Sequence, residues 1–228
     1  MMITRRLATV QILWAMLGTS LLYAVDFSNY RGFVFGMNVS VAAKEAGMNP
    51  SEVRLVHQRP AVVQELEWRP RSPFQADPVK ADPVQDGLLR FYNGELFQIV
   101  ITYHRHKVEG MTPDDMIAAI SLTYGAATRP TAEIAYHSHY GDVAPVIARW
   151  EDSQYSYNLV RTGDRTSFAM VLYSKRVYAL AQAAIVEAVR LEELEAPQRA
   201  ADLQKKQEAE SRLMLEKTRS VNISNFRP

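Results

Sequence analysis

Four of the five histidines of this 228-residue chain stand in two His-x-His pairs, His104/His106 and His137/His139. Residues two apart on a strand share a face, so each pair would present two imidazoles to one ion. Nitrogen ligands suit zinc, copper or nickel, and a carboxylate such as Asp142 would complete a site for a divalent transition metal. His104 is expected on the face of its strand that carries Gln98 and Thr102, away from the apolar row. The same residues also read as plain polar groups at a strand end and in a loop, and nothing local in the sequence brings the two pairs together. No other cofactor is implied.

Catalytic machinery is not evident. The chain has no Gly-x-Ser-x-Gly elbow, no Ser-x-x-Lys, no His-Glu-x-x-His and no glycine-rich phosphate loop. Asp114 and Asp115 are adjacent, and adjacent helical residues point in different directions, so a helix start accounts for them better than an acid/base pair. The expectation is a non-enzymatic protein. Tyrosines offer a second resource: Tyr136, Tyr140, Tyr155 and Tyr157 crowd one region with Trp150, and Tyr155/Tyr157 share a strand face. Exposed, they would suit a protein partner; buried, they would be core.

Several elements must position these groups. Gly36-Met37-Asn38 opens a short helix, capped by Asn38 or Ser40, that stops at Gly47; Gly110-Met111-Thr112 opens another that stops at Gly125. The second has Thr112 as N-cap, Pro113 at N1, two acids in the first turn, and Met116, Ile117, Ile120 and Tyr124 at helical spacing. After each comes a strand carrying a tryptophan, then a glycine-turned hairpin. The first set is 62–68, with Leu66 and Trp68 opposite Glu65 and Glu67, then 88–92 and 95–103 around Asn93-Gly94. In 95–103, Phe97, Ile99, Ile101 and Tyr103 form the apolar row. The second set is 146–152, 155–161 and 166–173, with a turn at 162–165. Two insertions, 69–86 and 128–145, contain prolines and read as loops. The segment 26–37 is aromatic and extended.

The order helix, strand, strand, strand therefore occurs twice, which implies an α+β fold of two tandem units of one helix and a three-stranded antiparallel sheet. Beyond Ser174 a helix with an apolar stripe of Val177, Leu180, Ala184, Ile185, Ala188 and Leu191 is interrupted at Pro197 and resumes as a charged, solvated extension. The boundaries are 1–24, 25–109 for the first unit, 110–174 for the second, and 175–228 for the extension.

The N-terminus carries Arg5-Arg6 followed by an uncharged apolar run from Leu7 to Ala24, the pattern of a signal peptide. Cleavage after Ala24 would release a periplasmic or extracellular protein; an uncleaved segment over residues 7–25 would anchor it to the inner membrane. The net charge is +1, and loss of residues 1–24 removes two arginines and no acid, leaving 24 basic and 25 acidic residues. That balance gives no field to attract nucleic acid. There is no cysteine, so neither disulfides, thiolate zinc sites nor a lipidated cysteine is available.

The segment Gly110–Ala127 (GMTPDDMIAAISLTYGAA), and more faintly Gly36–Met48 (GMNVSVAAKEAGM), resembles the opening of the SmpA/OmlA family of small outer-membrane assembly proteins and the fold shared with the β-lactamase inhibitory proteins. The latter carry the unit in tandem. The resemblance spans 27–173 by pattern and implies an exported module of the cell envelope that binds an unknown protein partner, with membrane contact only through an uncleaved N-terminal segment. Both groups differ from this chain: the assembly proteins are single-unit lipoproteins and the inhibitors use disulfides, so no binding residues carry over.

Overall fold

Tight turns fix the path of the chain. At Asn93-Gly94 both residues have positive φ (49° and 84°), the type I′ geometry expected of that dipeptide. The computed structural model describes residues 25–70, 82–130, 134–137, 143–161, 167–225 and 227, with side chains of 134–137 and 143–144 left out of account. Val25 aside, the N-terminal segment 1–25 falls outside the described residues, as do His139, Tyr140, Asp142 and the turn at 162–165. No helix among the described residues is long and apolar enough to cross a membrane.

The elements run β1 (Asn29–Tyr30), β2 (Phe33–Val34), α1 (Val39–Glu45), a 3-10 turn (Pro50–Glu52), β3 (Arg54–His57), β4 (Val63–Trp68), β5 (Val84–Tyr92), β6 (Glu95–Tyr103), α2 (Arg105–Val108), α3 (Pro113–Tyr124), β7 (Ile134–His137), β8 (Val143–Glu151), β9 (Tyr155–Arg161), β10 (Phe168–Ser174) and α4 (Lys175–Asn225). The protein is α+β, with antiparallel sheets and a long C-terminal helix. β1 and β2 form a ribbon, and the other strands lie in the order β3-β4-β5-β6-β10-β9-β8-β7. The sheet is continuous: its two halves meet where β6 pairs with β10, Ile101 opposite Met170 and Ile99 opposite Leu172. Each half has four strands, not the three expected, because β3 and β7 add an edge on either side.

Caps set the helices as the residue types require. The Asn38 side chain accepts from the Val41 amide, and Thr112 and Asp115 form a reciprocal capping box behind Pro113. Gly47 and Gly125 end α1 and α3 with φ of 67° and 79°. α1, α3 and the β1–β2 ribbon cover the front face. There Leu66, Leu89, Phe91, Ile99, Met170, Tyr157 and Leu159 are buried in one cluster with Ala42, Ala43 and Met116 of the helices. The tryptophans hold matching places in this layer. Trp68 packs edge-on against Phe33 at 5.0 Å and faces Gly87, where a Cβ would come within 2.7 Å of the indole. Trp150 is buried on β8, and its indole N–H donates to the Gly125 carbonyl at 3.0 Å and to Ser121 Oγ at 3.2 Å, tying down the end of α3.

α4 crosses the back face. Lys175 donates to the Asp152 carbonyl and pairs with Glu151, Tyr178 stacks on Tyr173 at 4.3 Å, and Ala181, Ala184 and Ala188 are buried against the sheet. Three sequence expectations fail here for physical reasons. Leu180 is largely exposed, because the alanine ridge lets the helix axis come closer to the strands than a leucine stripe would. A bulge in β6, where Arg90 pairs with Gln98 but Phe91 with Leu96, leaves Phe97 without a partner residue and turns it off the front row and onto Tyr178 of α4. Pro197 does not interrupt the helix, which runs on to Asn225. Proline removes one N–H and disturbs the preceding turn, and here the Arg199 guanidinium donates to the Glu192 carbonyl at 2.8 Å. The expected loops shrink as well: β5 begins at Val84 within the first insertion, and the second holds β7 and the start of β8.

Candidate functional site

The histidine pair at 104/106 does not sit in a strand. β6 ends at Tyr103, His104 occupies the N-cap position of α2, and the His104 and His106 rings lie 5.1 Å apart at a tilt of 39°. His137 ends β7, four strands from β6 in the sheet order, which places the two backbones about 19 Å apart along the sheet at normal strand spacing. His139 and the His137 side chain lie outside the described residues. Among the described residues no three His, Asp or Glu side chains gather as a metal site.

The tyrosines separate in the same way. Tyr157 is buried on the front face, its hydroxyl donating to the Asn29 carbonyl at 3.1 Å, so it belongs to the core and has no surface for a partner. Tyr155 is half-buried and stacks on Phe35 at 5.3 Å. The two share a face of β9, as the alternation requires, and that face is the front one, where neighbours cover them. Tyr140 and the Tyr136 side chain lie outside the described residues.

A site the sequence did not signal lies instead at the top of β6. A cavity of about 330 Å³ opens between the β1–β2 ribbon, α2, α3 and the end of β6, with Tyr30, Arg31, Tyr103, Met116 and Tyr124 on its wall and Met170 beneath. Three tyrosines converge on it. Burial pushes the Tyr30 phenol up to about 12, and burial raises those of Tyr103 and Tyr124 as well; Tyr124 adds to the rise of Tyr30 and Tyr103, and Arg31 opposes all three. All three stay protonated at neutral pH and can donate a hydrogen bond.

Arg31 comes to this wall by an unusual turn. Tyr30-Arg31-Gly32-Phe33 closes the ribbon with φ of 53° at Arg31 and 89° at Gly32, and the Gly32 amide donates to Asn29 Oδ1 at 3.0 Å. A left-handed conformation is disfavoured for arginine. The guanidinium pairs with Asp82 at 2.6 Å. Partial burial works to raise the Asp82 carboxyl, and the hydrogen bonds from Arg31 and the Val84 amide outweigh it, leaving the group below its ordinary value. The pair therefore stays ionised and holds Arg31 in place.

A second cleft, about 390 Å³, lies on the back face over β4 and β5 among Arg54, Glu65, Glu67 and Asp86. Its central charge is already matched: buried Glu65 accepts from Arg54 at 2.7 Å and from Arg90 at 3.1 Å, and Arg90 also donates to Gln98. The Glu65 carboxylate is therefore satisfied, while the buried Gln98 Nε2 beside it has no hydrogen-bond partner among the described residues. No protein-family model matches the chain, and no curated protein or solved structure matches it either.

Proposed function

We propose that the protein is an exported, non-enzymatic binding module of the cell envelope that engages a protein partner through the distal half of α4. One observation carries this reading. The β3–β4 turn grips α4 through His57–Glu192 at 3.0 Å and Arg59–Glu195 at 2.9 Å, and every residue from 196 to 225 is exposed. That leaves an arm of roughly 45 Å standing clear of the body. A mostly polar helix of this kind draws nothing from tertiary packing, and ordering it is rewarded when something docks on it. Leu203, Leu213, Met214, Leu215, Val221 and Ile223 are the exposed apolar positions a partner would cover.

We further infer that the halves of the sheet descend from one duplicated unit of a capped helix followed by four antiparallel strands. The mirrored strand order, the Gly-Met helix starts and the matched tryptophans support it. The likeness of Gly110–Ala127 to the envelope-assembly and β-lactamase inhibitory proteins, with the apolar N-terminal run, supports export.

Photo-crosslinking in intact cells tests the arm. A photoreactive residue at Leu203, Met214 or Val221 is expected to give an adduct of one defined mass, absent from the still more exposed body position Leu122. Arm positions that give no adduct, or the adducts Leu122 gives, overturn the assignment.

A further inference from the structure

The front-face cavity plays no part in the arm's contacts, and its chemistry is one-sided. Its floor is apolar, built from Val108, Met111, Met116, Ile120 and Met170. Its polar lining is rich in donors: the hydroxyls of Tyr30, Tyr103, Thr123 and Tyr124 and the cations of Arg31 and Lys107. Among the described residues no carboxylate or amide side chain lines it. A guanidinium has five N–H donors, and Asp82 engages Nη1 of Arg31, which orients the group without exhausting it. A chamber of donors over an apolar floor complements a molecule with an acceptor head, best a charged one, and an apolar body.

The turn adds a second, independent indication. Asn-Gly is the ordinary choice for a two-residue turn with both φ positive, and this chain uses it at Asn93-Gly94. At the cavity the same turn is built with Arg31, against the conformational preference of the residue. Its side chain, not its backbone, accounts for its being there.

We propose that the cavity binds a small amphipathic monocarboxylate, its apolar body against the methionines and its carboxylate on Arg31 and the tyrosine hydroxyls. At about 30 Å³ per water-sized group the space admits roughly ten heavy atoms, the size of a medium-chain fatty acid or a small aromatic acid.

Octanoate, kept below its micellar concentration, is the probe, followed by amide shifts of α3 in two-dimensional NMR of the purified protein, with 1-octanol as the uncharged counterpart. Octanoate is expected to saturate the shifts at a concentration about tenfold or more below that of octanol, the factor one charge-assisted hydrogen bond supplies. Arg31→Asn keeps the turn, as Asn-Gly, and is expected to erase the preference for octanoate while octanol still binds. Ala119→Trp, at an exposed mouth position of α3, should abolish both. No saturable shift, equal affinity for the two probes, or binding that survives Ala119→Trp would overturn the proposal. Binding should be intact in protein cut after Ala196, which separates this result from the fate of the arm.

Discussion

Shortening α4 from its C-terminus should give a stepped loss of stability, and the steps can be worked from its contacts. Residues 175–195 lie along the back face for about 30 Å, and the Arg59–Glu195 pair is the last that joins helix to body among the described residues. A chain ending at Ala196 therefore loses no body contact, and its unfolding free energy should change by less than ~0.5 kcal/mol. The denaturant slope should hold too, since the surface exposed on unfolding the body is unchanged. A chain ending at Leu191 also loses the partners of His57 and Arg59. Glu192 and Glu195 are 52% and 39% exposed, so solvent screening limits each pair. Together they are worth roughly 1 kcal/mol at low salt. The share carried by Arg59–Glu195 should vanish in 0.5 M NaCl. A chain ending at Leu180 loses Ala181, Ala184 and Ala188, uncovers Val100 and Val171, and should no longer unfold cooperatively. Urea titration of chains begun at Val25, followed by tryptophan fluorescence, reads all three, because without Trp14 the remaining Trp68 and Trp150 report the body alone. A loss above ~2 kcal/mol on cutting at Ala196 would mean that the distal helix packs on the body, and the arm would have to be abandoned.

Trp150→Phe removes the indole that holds Ser121 and the Gly125 carbonyl and leaves a space in a buried site, so a loss of about 2–4 kcal/mol in urea is expected; a loss under ~0.5 kcal/mol would show that the end of α3 needs no such anchor. The alkaline limb supplies the pH test. Folding raises the phenols of Tyr30, to about 12, and of Tyr103, Tyr124 and Tyr157, through burial first. Their contribution is whole below the ordinary tyrosine value near 10 and is lost as pH climbs through the raised values. Ultraviolet titration should show these groups ionising together with unfolding above pH ~10, and a smooth titration of all eleven tyrosines near the ordinary value, with the fold intact, would contradict it.

What the sequence revealed was whatever local chemistry decides. Asn93-Gly94, the Thr112-Pro113 start and the glycine stops at 47 and 125 each settle their own backbone, and β9 falls where its alternation puts it. The β1–β2 turn stayed hidden because arginine is a poor signal for positive φ. β3 stayed hidden because an edge strand with half its residues exposed has no period to read. The single sheet was out of reach for another reason. Pairing of β6 with β10 joins Val100 to Val171 across seventy-one positions, and no window of sequence contains both. The histidine spacing suggested a strand pair, but the strand stops one residue short of His104.

The cavity was illegible for the same reason that makes it informative. Its wall takes Tyr30 and Arg31 from the opening ribbon, Tyr103 from the last strand of the first half, Met116 and Tyr124 from the helix of the second, and Met170 from β10. It lies at the seam where β6 hands the chain through α2 to α3. A lone unit of one helix and four strands would expose this edge of its core as a row of apolar side chains along β6. Two units joined there bury the row, and they leave a gap where the connecting residues 104–112 pass over it. On the duplication proposed above, the first gain from joining two copies is stability, through the β6–β10 pairing. The chamber follows as a by-product of an imperfect seam, and Arg31 then stands where a side chain from outside the repeat can give that chamber a charge. Arg31→Asn tests this step directly. If the arginine serves the seam, the variant loses stability along with octanoate; if it serves a ligand, octanoate goes and the turn, now Asn-Gly, holds at least as well as before.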